Sequence, residues 1–252
     1  MASIAQHPED RAARAALAKK LAGDPRGTFI QLQLDAATEL QSHGRSETYK
    51  DLRSRYRALE QQHGASWAGD VAKLAEQPMF ARGFVEYVTM SAAAFLAKAG
   101  ELYKVAPIRG VTLVDFKSSV RQLAASPYLD RLVALQFYDK AKTGKLDDAD
   151  AALLAGSPHL ARLQSLDVSF NAITNAGVDA LCALAGLRYL NLAGNPADNP
   201  VEQVATDTMS GDPIATGTLP ERGRQLEAKY GKRAWLHAPS ELPDFPPTIE
   251  AF

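Results

Sequence analysis

The chain has 252 residues, 46% of them hydrophobic and 23% charged, which is ordinary for globular protein and enough for one elongated domain or two small ones. Twenty-eight basic residues face 29 acidic ones, a formal net charge of −1, so the long-range field that binding of nucleic acid or an anionic membrane usually exploits is absent. A single cysteine, Cys182, excludes an intramolecular disulfide framework and a cysteine-based zinc cluster.

The first residues lack an apolar h-region and carry charges from Glu9 onward, so no signal peptide is expected. No uninterrupted apolar run is long enough to span a bilayer, and a cytoplasmic protein is expected. Residues 8–78 show helical periodicity in four stretches: RAARAALAKKLAG, TFIQLQLDAATELQ, ETYKDLRSRYRALEQQ and ASWAGDVAKLAEQ. Gly23, Gly44 and Gly64 are read as the helix stops between them.

Further along, self-similarity takes over. Leu163, Leu166, Val168 and Asn171 set the pattern L-x-x-L-x-L-x-x-N, and Leu187, Leu190, Leu192 and Asn195 repeat it after 24 residues. That pattern resembles the leucine-rich-repeat family, whose units run to roughly 20–29 residues. Weaker copies precede it: Val85, Val88 and Met90; Ile108, Val111 and Leu113, with Phe116 at the asparagine position; and Leu132, Leu135 and Phe137, with Lys140 there. The starts at 85, 108, 132, 163 and 187 are separated by 23, 24, 31 and 24 residues, and the long interval carries an insertion at Lys140–Asp147. SPYL at 126–129 and SPHL at 157–160 echo one another at the same 31.

Each unit reads as a short strand with inward leucines, a turn tied by the asparagine side chain, and a short helix such as the one that Asn175 is expected to cap. Stacked units bury a continuous core, whose open ends need covers. The expected architecture is α/β: a short leucine-rich-repeat solenoid of about five strand–helix units over 81–198, with an all-helical N-terminal cap over 1–80 and a C-terminal cap over 199–252. Within the last region, 196–218 reads as mostly loop, Leu219–Tyr230 as a helix stopped by Gly231, Arg233–Leu236 as a closing strand, and 238–252 as a proline-rich tail, also mostly loop.

A second resemblance is carried by Gly23-Asp-Pro-Arg-Gly-Thr-Phe29-Ile-Gln-Leu-Gln33, His63-Gly-Ala-Ser-Trp67, Arg82-Gly-Phe84-Val-Glu86 and Ser91-Ala-Ala-Ala-Phe95. These stretches are similar to landmarks of the repeat-companion domain found ahead of leucine-rich repeats in some bacteria. One departure is Ala-Lys-Lys-Leu-Ala before Gly23, where that family commonly carries a tyrosine–alanine–aspartate–tryptophan-like run. The resemblance implies a bacterial intracellular protein and supplies no catalytic residues.

Outward strand positions form columns. Thr89, Thr112, Gln136, Asp167 and Asn191 make one, flanked by Tyr87, Gly110, Ala134, Ser165 and Tyr189 on one side and by Ser91, Val114, Tyr138, Ser169 and Ala193 on the other. Tyrosines beside short polar side chains suit protein recognition, although solvated strand faces are polar in any case. The expected partner-binding set is Tyr87, Thr89, Thr112, Gln136, Tyr138, Asp167, Ser169, Tyr189 and Asn191, and a lysine at Asp167 is expected to leave folding intact.

Other constellations read as structural. Cys182 sits among leucines in a repeat helix and reads as a small buried hydrophobe. The five histidines show no metal-ligand spacing, and His43 and His63, each before a glycine, read as helix C-terminal residues. Asp147, Asp148 and Asp150 read as the acidic start of a helix, and Lys50–Arg57 as a solvated helix face. The tail is either a docking peptide or a cover over the last strand. The function expected is a non-catalytic, cofactor-free module, monomeric or dimeric, that binds another protein through the concave repeat face. A toxin- or enzyme-neutralising immunity protein and an enzyme with an unrecognised site are the alternatives.

Overall fold

The computed structural model describes residues 2–139, 144–202, 204–206 and 213–237. Lys140, the first half of the insertion and the tail 238–252 lie outside the described residues. Six strands form one sheet in the order β1 (Glu76–Ala81), β2 (Phe84–Ser91), β3 (Gly110–Val114), β4 (Ala134–Phe137), β5 (Ser165–Asp167) and β6 (Tyr189–Asn191). With the helices, this is a mixed α/β fold. The chain divides within β3 into two compact units, one of residues 1–90 and 97–111, the other of 91–96 and 112–242. No helix among the described residues is long and apolar enough to cross a membrane.

In the first unit, α1 (Ala2–Gln6), α2 (Arg11–Lys20), α3 (Pro25–His43), α4 (Glu47–Ala68) and α5 (Val71–Leu74) precede the hairpin β1–β2. Asp10 caps α2 by accepting from Ala13 N at 2.8 Å, and Asp24 caps α3 through Arg26 N at 2.7 Å, with Pro25 at the first helical position. Phe29, Ile30, Leu32 and Leu34 of α3 are buried, and α3 ends at His43 before Gly44 as expected. Gly64 does not stop a helix: α4 runs through it to Ala68, so His63 is a mid-helix residue stacked on Trp67 with ring centroids 5.1 Å apart.

The reading of 1–80 as all-helical also needs correction, because β1 is a strand. It is short, contains Pro78 and has register irregularities beside Met79, features that an edge strand tolerates and a sequence pattern hides. The turn that joins it to β2 uses Arg82 and Gly83, both with positive φ (49° and 88°), in the two-residue form that right-twisted hairpins favour. Arginine is an unusual first residue for such a turn; Asn or Asp would have announced it. Gln33 Oε1 accepts from Gly83 N at 2.7 Å, fastening the turn to α3.

Behind this hairpin lies a buried charge cluster. Arg14 and Glu86 have almost no exposed side-chain surface and pair at 2.8 Å, while Arg82 joins the same carboxylate and Arg109 approaches it at 3.9 Å. Arg14 also donates to Pro8 O at 2.7 Å and Arg82 O at 3.0 Å. Burial pulls its guanidinium down to about 10, against the opposing pull of Glu86, which leaves it charged at neutral pH. Nearby, Arg26 lies over the rings of Phe29, Trp67, Phe80 and Phe84, 4.7 Å from Trp67 and 5.3–5.6 Å from the others. The landmark stretches at 23–33, 63–67 and 82–86 thus contribute to the packing of this unit.

The second unit carries the three later repeat strands. β4, β5 and β6 are parallel, with Leu135 beside Leu166 beside Leu190, in the register read from the sequence. Helices α7 (Val120–Ala124), α8 (Asp148–Ala155) and α9 (Asn175–Leu181) follow β3, β4 and β5; α6 (Ala92–Val105) is divided between the two units, with residues 92–96 in this one. The asparagines act as expected. Asn171 donates to Val168 O and Ser169 O, both at 3.0 Å, and accepts from Leu146 N at 2.8 Å. Asn195 donates to Val168 O and Leu192 O and accepts from Ile173 N at 3.0 Å. Asn171→Ala leaves the Leu146 N–H without its acceptor and is expected to lower unfolding free energy by about 1–3 kcal/mol in a urea titration. A change within error would mean that another acceptor is within easy reach.

The Ser-Pro echo has a mechanism too. Ser126 and Ser157 cap 3-10 turns at Pro127–Arg131 and Pro158–Leu160, seating Leu129 and Leu160 in the core. Asp147 and Asp150 form a reciprocal capping box at the start of α8, bridged by Lys117. For α9 the cap is Thr174, one residue before the Asn175 expected from sequence; Asn175 instead pairs with Asp198 at 2.7 Å.

At the C-terminal side, the described part of 196–218 is mostly loop as expected, with two short strands, β7 (Val204–Thr206) and β8 (Pro213–Ala215), that pair antiparallel. Three-residue strands amid prolines are too short for alternation to show. Helix α10 (Glu221–Tyr230) ends at Gly231 as expected and is tied to α9 by Arg222, Lys229 and Tyr230, which converge on Asp179. The expected final strand at Arg233–Leu236 is a 3-10 turn over Ala234–Leu236, whose Trp235 and Leu236 are buried. Those two side chains are consecutive, and a strand would send them to opposite faces.

Candidate functional site

In the repeat unit the central outward column is a hydrogen-bonded ladder across four strands. Thr112 Oγ1 donates to Gln136 Oε1 at 2.8 Å, Gln136 Nε2 to Asp167 Oδ2 at 3.2 Å, and Asn191 Nδ2 to the same oxygen at 3.0 Å. The other Asp167 oxygen accepts from Ser169 N at 2.9 Å, and Asn191 Oδ1 accepts from Ala193 N at 3.1 Å. Parallel register alone produces this, because equal positions of successive repeats stand side by side about 4.8 Å apart.

The ladder changes the meaning of Asp167. Its side chain points to the expected side but the residue is only 3% exposed, and its carboxylate accepts three hydrogen bonds. A lysine there would bring donors where acceptors are needed and leave Gln136, Asn191 and Ser169 N unsatisfied, so the expectation of a tolerated Asp167→Lys is withdrawn. Asp167 orders its neighbours; Thr112, Gln136, Ser169, Tyr189 and Asn191 keep partial exposure, and Tyr138 is 44% exposed.

Tyr87 and Thr89, in the first unit, are buried and engaged within it. The Tyr87 ring lies across Gly110, where an added Cβ would overlap its carbons, and Thr89 donates to Gln77 Oε1 at 2.9 Å. Both leave the set of residues that a partner would touch, because packing has already covered them.

Phe170 escaped the sequence reading. It is the most exposed large hydrophobic residue among those described, at 67%, and its backbone is left-handed with φ 58°. The same repeat position holds Gly194, φ 68°, and the Phe170 ring lies where a Gly194 side chain would be, 2.5 Å from an ideal Cβ. The signal was present as an aromatic aligned with a glycine one repeat later, but Phe170 lies in the turn beyond the strand columns.

Groups considered for chemistry are placed structurally. Cys182 is buried, and burial pushes its thiol up to about 11, far from a reactive thiolate at neutral pH. Asp148 accepts from Thr174 N, Thr174 Oγ1 and Gly177 N, and among the described residues no group of three or more His, Cys, Asp or Glu is placed to hold a metal ion. On α4 the basic run is paired along the helix, Lys50 with Glu47 and Arg55 with Asp51.

Comparison of the chain with curated proteins and with solved structures gave no match. Residues 159–182 match a family model described as Leucine Rich repeat, a stretch that contains β5, the Asn171 turn and α9. The chain therefore carries a leucine-rich repeat, a unit of the kind that commonly builds protein-interaction modules.

Proposed function

We propose that this chain is a non-catalytic module that binds another protein through the outward side of the repeat strands β3–β6. The observation that carries the reading is the ladder: Thr112, Gln136, Asp167 and Asn191 hold one another in place before any partner arrives. A fixed polar row loses little conformational entropy on association, and Tyr138 and Tyr189 beside it offer amphipathic area with two rotatable angles each. The similarity of the stretches at 23–33, 63–67 and 82–86 to a repeat-companion domain, found ahead of leucine-rich repeats, fits the same reading. A bacterial cytoplasmic setting and a toxin- or enzyme-neutralising role are the narrower forms of the proposal.

The test compares wild type with Tyr138→Ala/Tyr189→Ala in affinity capture from lysate of the source organism, followed by mass spectrometry. Both side chains are at least partly exposed, so the variant should melt within about 3 °C of wild type. A partner retained by wild type and lost by the variant supports the proposal and names its target. Identical capture by both moves binding away from this face, and capture by neither opposes an interaction role.

A further inference from the structure

In the first unit, α2 and α4 both pack on α3, and a valley runs where the three helices meet. Gly27, Gln31 and Asp35 line it at i, i+4 and i+8, with Leu32 beside them, so its floor is one face of α3. Ala18 and Ala22 line it from the end of α2, and Leu52 and Arg55 from α4. The hollow measures about 400 Å³, within the range of roughly 300–1,000 Å³ that binding pockets occupy.

The sequence makes this space. At the joint between α2 and α3, a Cβ on Gly27 would lie 2.3 Å from Leu21 O, so only glycine fits there. On the α2 side, Ala18 and Ala22 end at a methyl group, and the three small residues leave room that longer side chains would have filled. Ala18 and Leu32 are buried, which makes the bottom of the hollow apolar.

Charge sits on the rim, where Lys19 and Arg55 stand with Asp35. Asp35 is already engaged, accepting from Gln31 Nε2 at 2.8 Å. Arg55 reaches Asp51 at 3.4 Å, with both side chains more than half exposed. Lys19 has no side-chain partner among the described residues. The uncommitted charge around the apolar floor is therefore positive, which suits a carboxylate presented beside an aliphatic side chain. An amphipathic helix presents both at once, and a valley between packed helices is the shape that such a helix lies against.

We propose that this valley docks an acidic amphipathic helix of a partner protein. An aliphatic side chain of that helix fills the hollow beside Ala22, and its flanking carboxylates meet Lys19 and Arg55. The surface belongs to the first unit, and its use is independent of the strand face of the repeats.

The probe is a blocked peptide of two copies of Leu-Ala-Glu-Leu-Ala-Glu-Gln, titrated into the full chain while backbone amides are followed by NMR. Its control carries lysine for every glutamate. Saturable shifts are expected at the amides of Gly27, Thr28 and Gln31, with affinity at least about fivefold weaker for the lysine peptide. Ala22→Leu fills the hollow from within and should weaken the acidic peptide at least about tenfold. Because Ala22 is exposed, that variant should melt within about 3 °C of wild type. In Lys19→Glu/Arg55→Glu the preference should reverse toward the lysine peptide. Equal response to the two peptides, shifts confined to other surfaces, or binding that survives Ala22→Leu unchanged overturns the proposal. Lining amides that shift with protein concentration, before any peptide is added, would make the occupant a second copy of this chain and overturn it as well.

Discussion

Leu166→Asp abolishes the cooperative melt of the repeat unit. Leu166 is fully buried, paired in register with Leu135 and Leu190 at the middle of the parallel strands. A carboxylate there must either lose its hydration without a partner or neutralise at a large shift, and it removes the transfer and packing energy of a leucine besides. Together these exceed about 5 kcal/mol, as much as many whole domains possess. Circular dichroism on heating is the measurement. A sharp transition near the wild-type temperature would mean that the inward frame of the repeat is misassigned.

Glu86→Gln is expected to lower the unfolding free energy by about 3–5 kcal/mol, measured by urea titration, through a different mechanism. The carboxylate is the counter-charge of a fully buried guanidinium, Arg14, and also engages Arg82. Glutamine keeps the shape and part of the hydrogen bonding but leaves Arg14 charged in a site sealed from water. Glu86→Leu combined with Arg14→Met should cost less than Glu86→Leu alone, since it removes the stranded charge along with its partner. A loss below about 1 kcal/mol for Glu86→Gln would mean that water reaches the cluster in solution.

The repeats were legible because their logic is periodic. One leucine frame fixes which side chains face inward, and a parallel register then places every other column, including the ladder. What the frame does not encode is depth. Asp167 and Tyr138 both hold outward columns, yet Asp167 is buried among the partners its carboxylate collects, whereas Tyr138 is 44% exposed. Tyr87 was misjudged for the same reason, since the space above Gly110 receives its ring. In the helical region, glycines were read as punctuation, but Gly64 lies inside α4 near Glu60 and Phe80, where a small residue fits. β1 went unread because Pro78 and the irregular register break the alternation that announces a strand.

The asparagine turns give the chain a direction of growth. Each of the two asparagines reaches back to an amide of the preceding turn region, Asn171 to Leu146 and Asn195 to Ile173, so each of these two repeats completes the one before it. A unit is therefore not self-sufficient: it arrives with a donor that only its successor can satisfy. Copying the 24 residues that begin at Leu163 would carry the need and its remedy together, and the array could lengthen by whole units without an orphaned amide. Cutting within a unit separates the two. Such a chain can gain reach by duplication while holding the same cross-section.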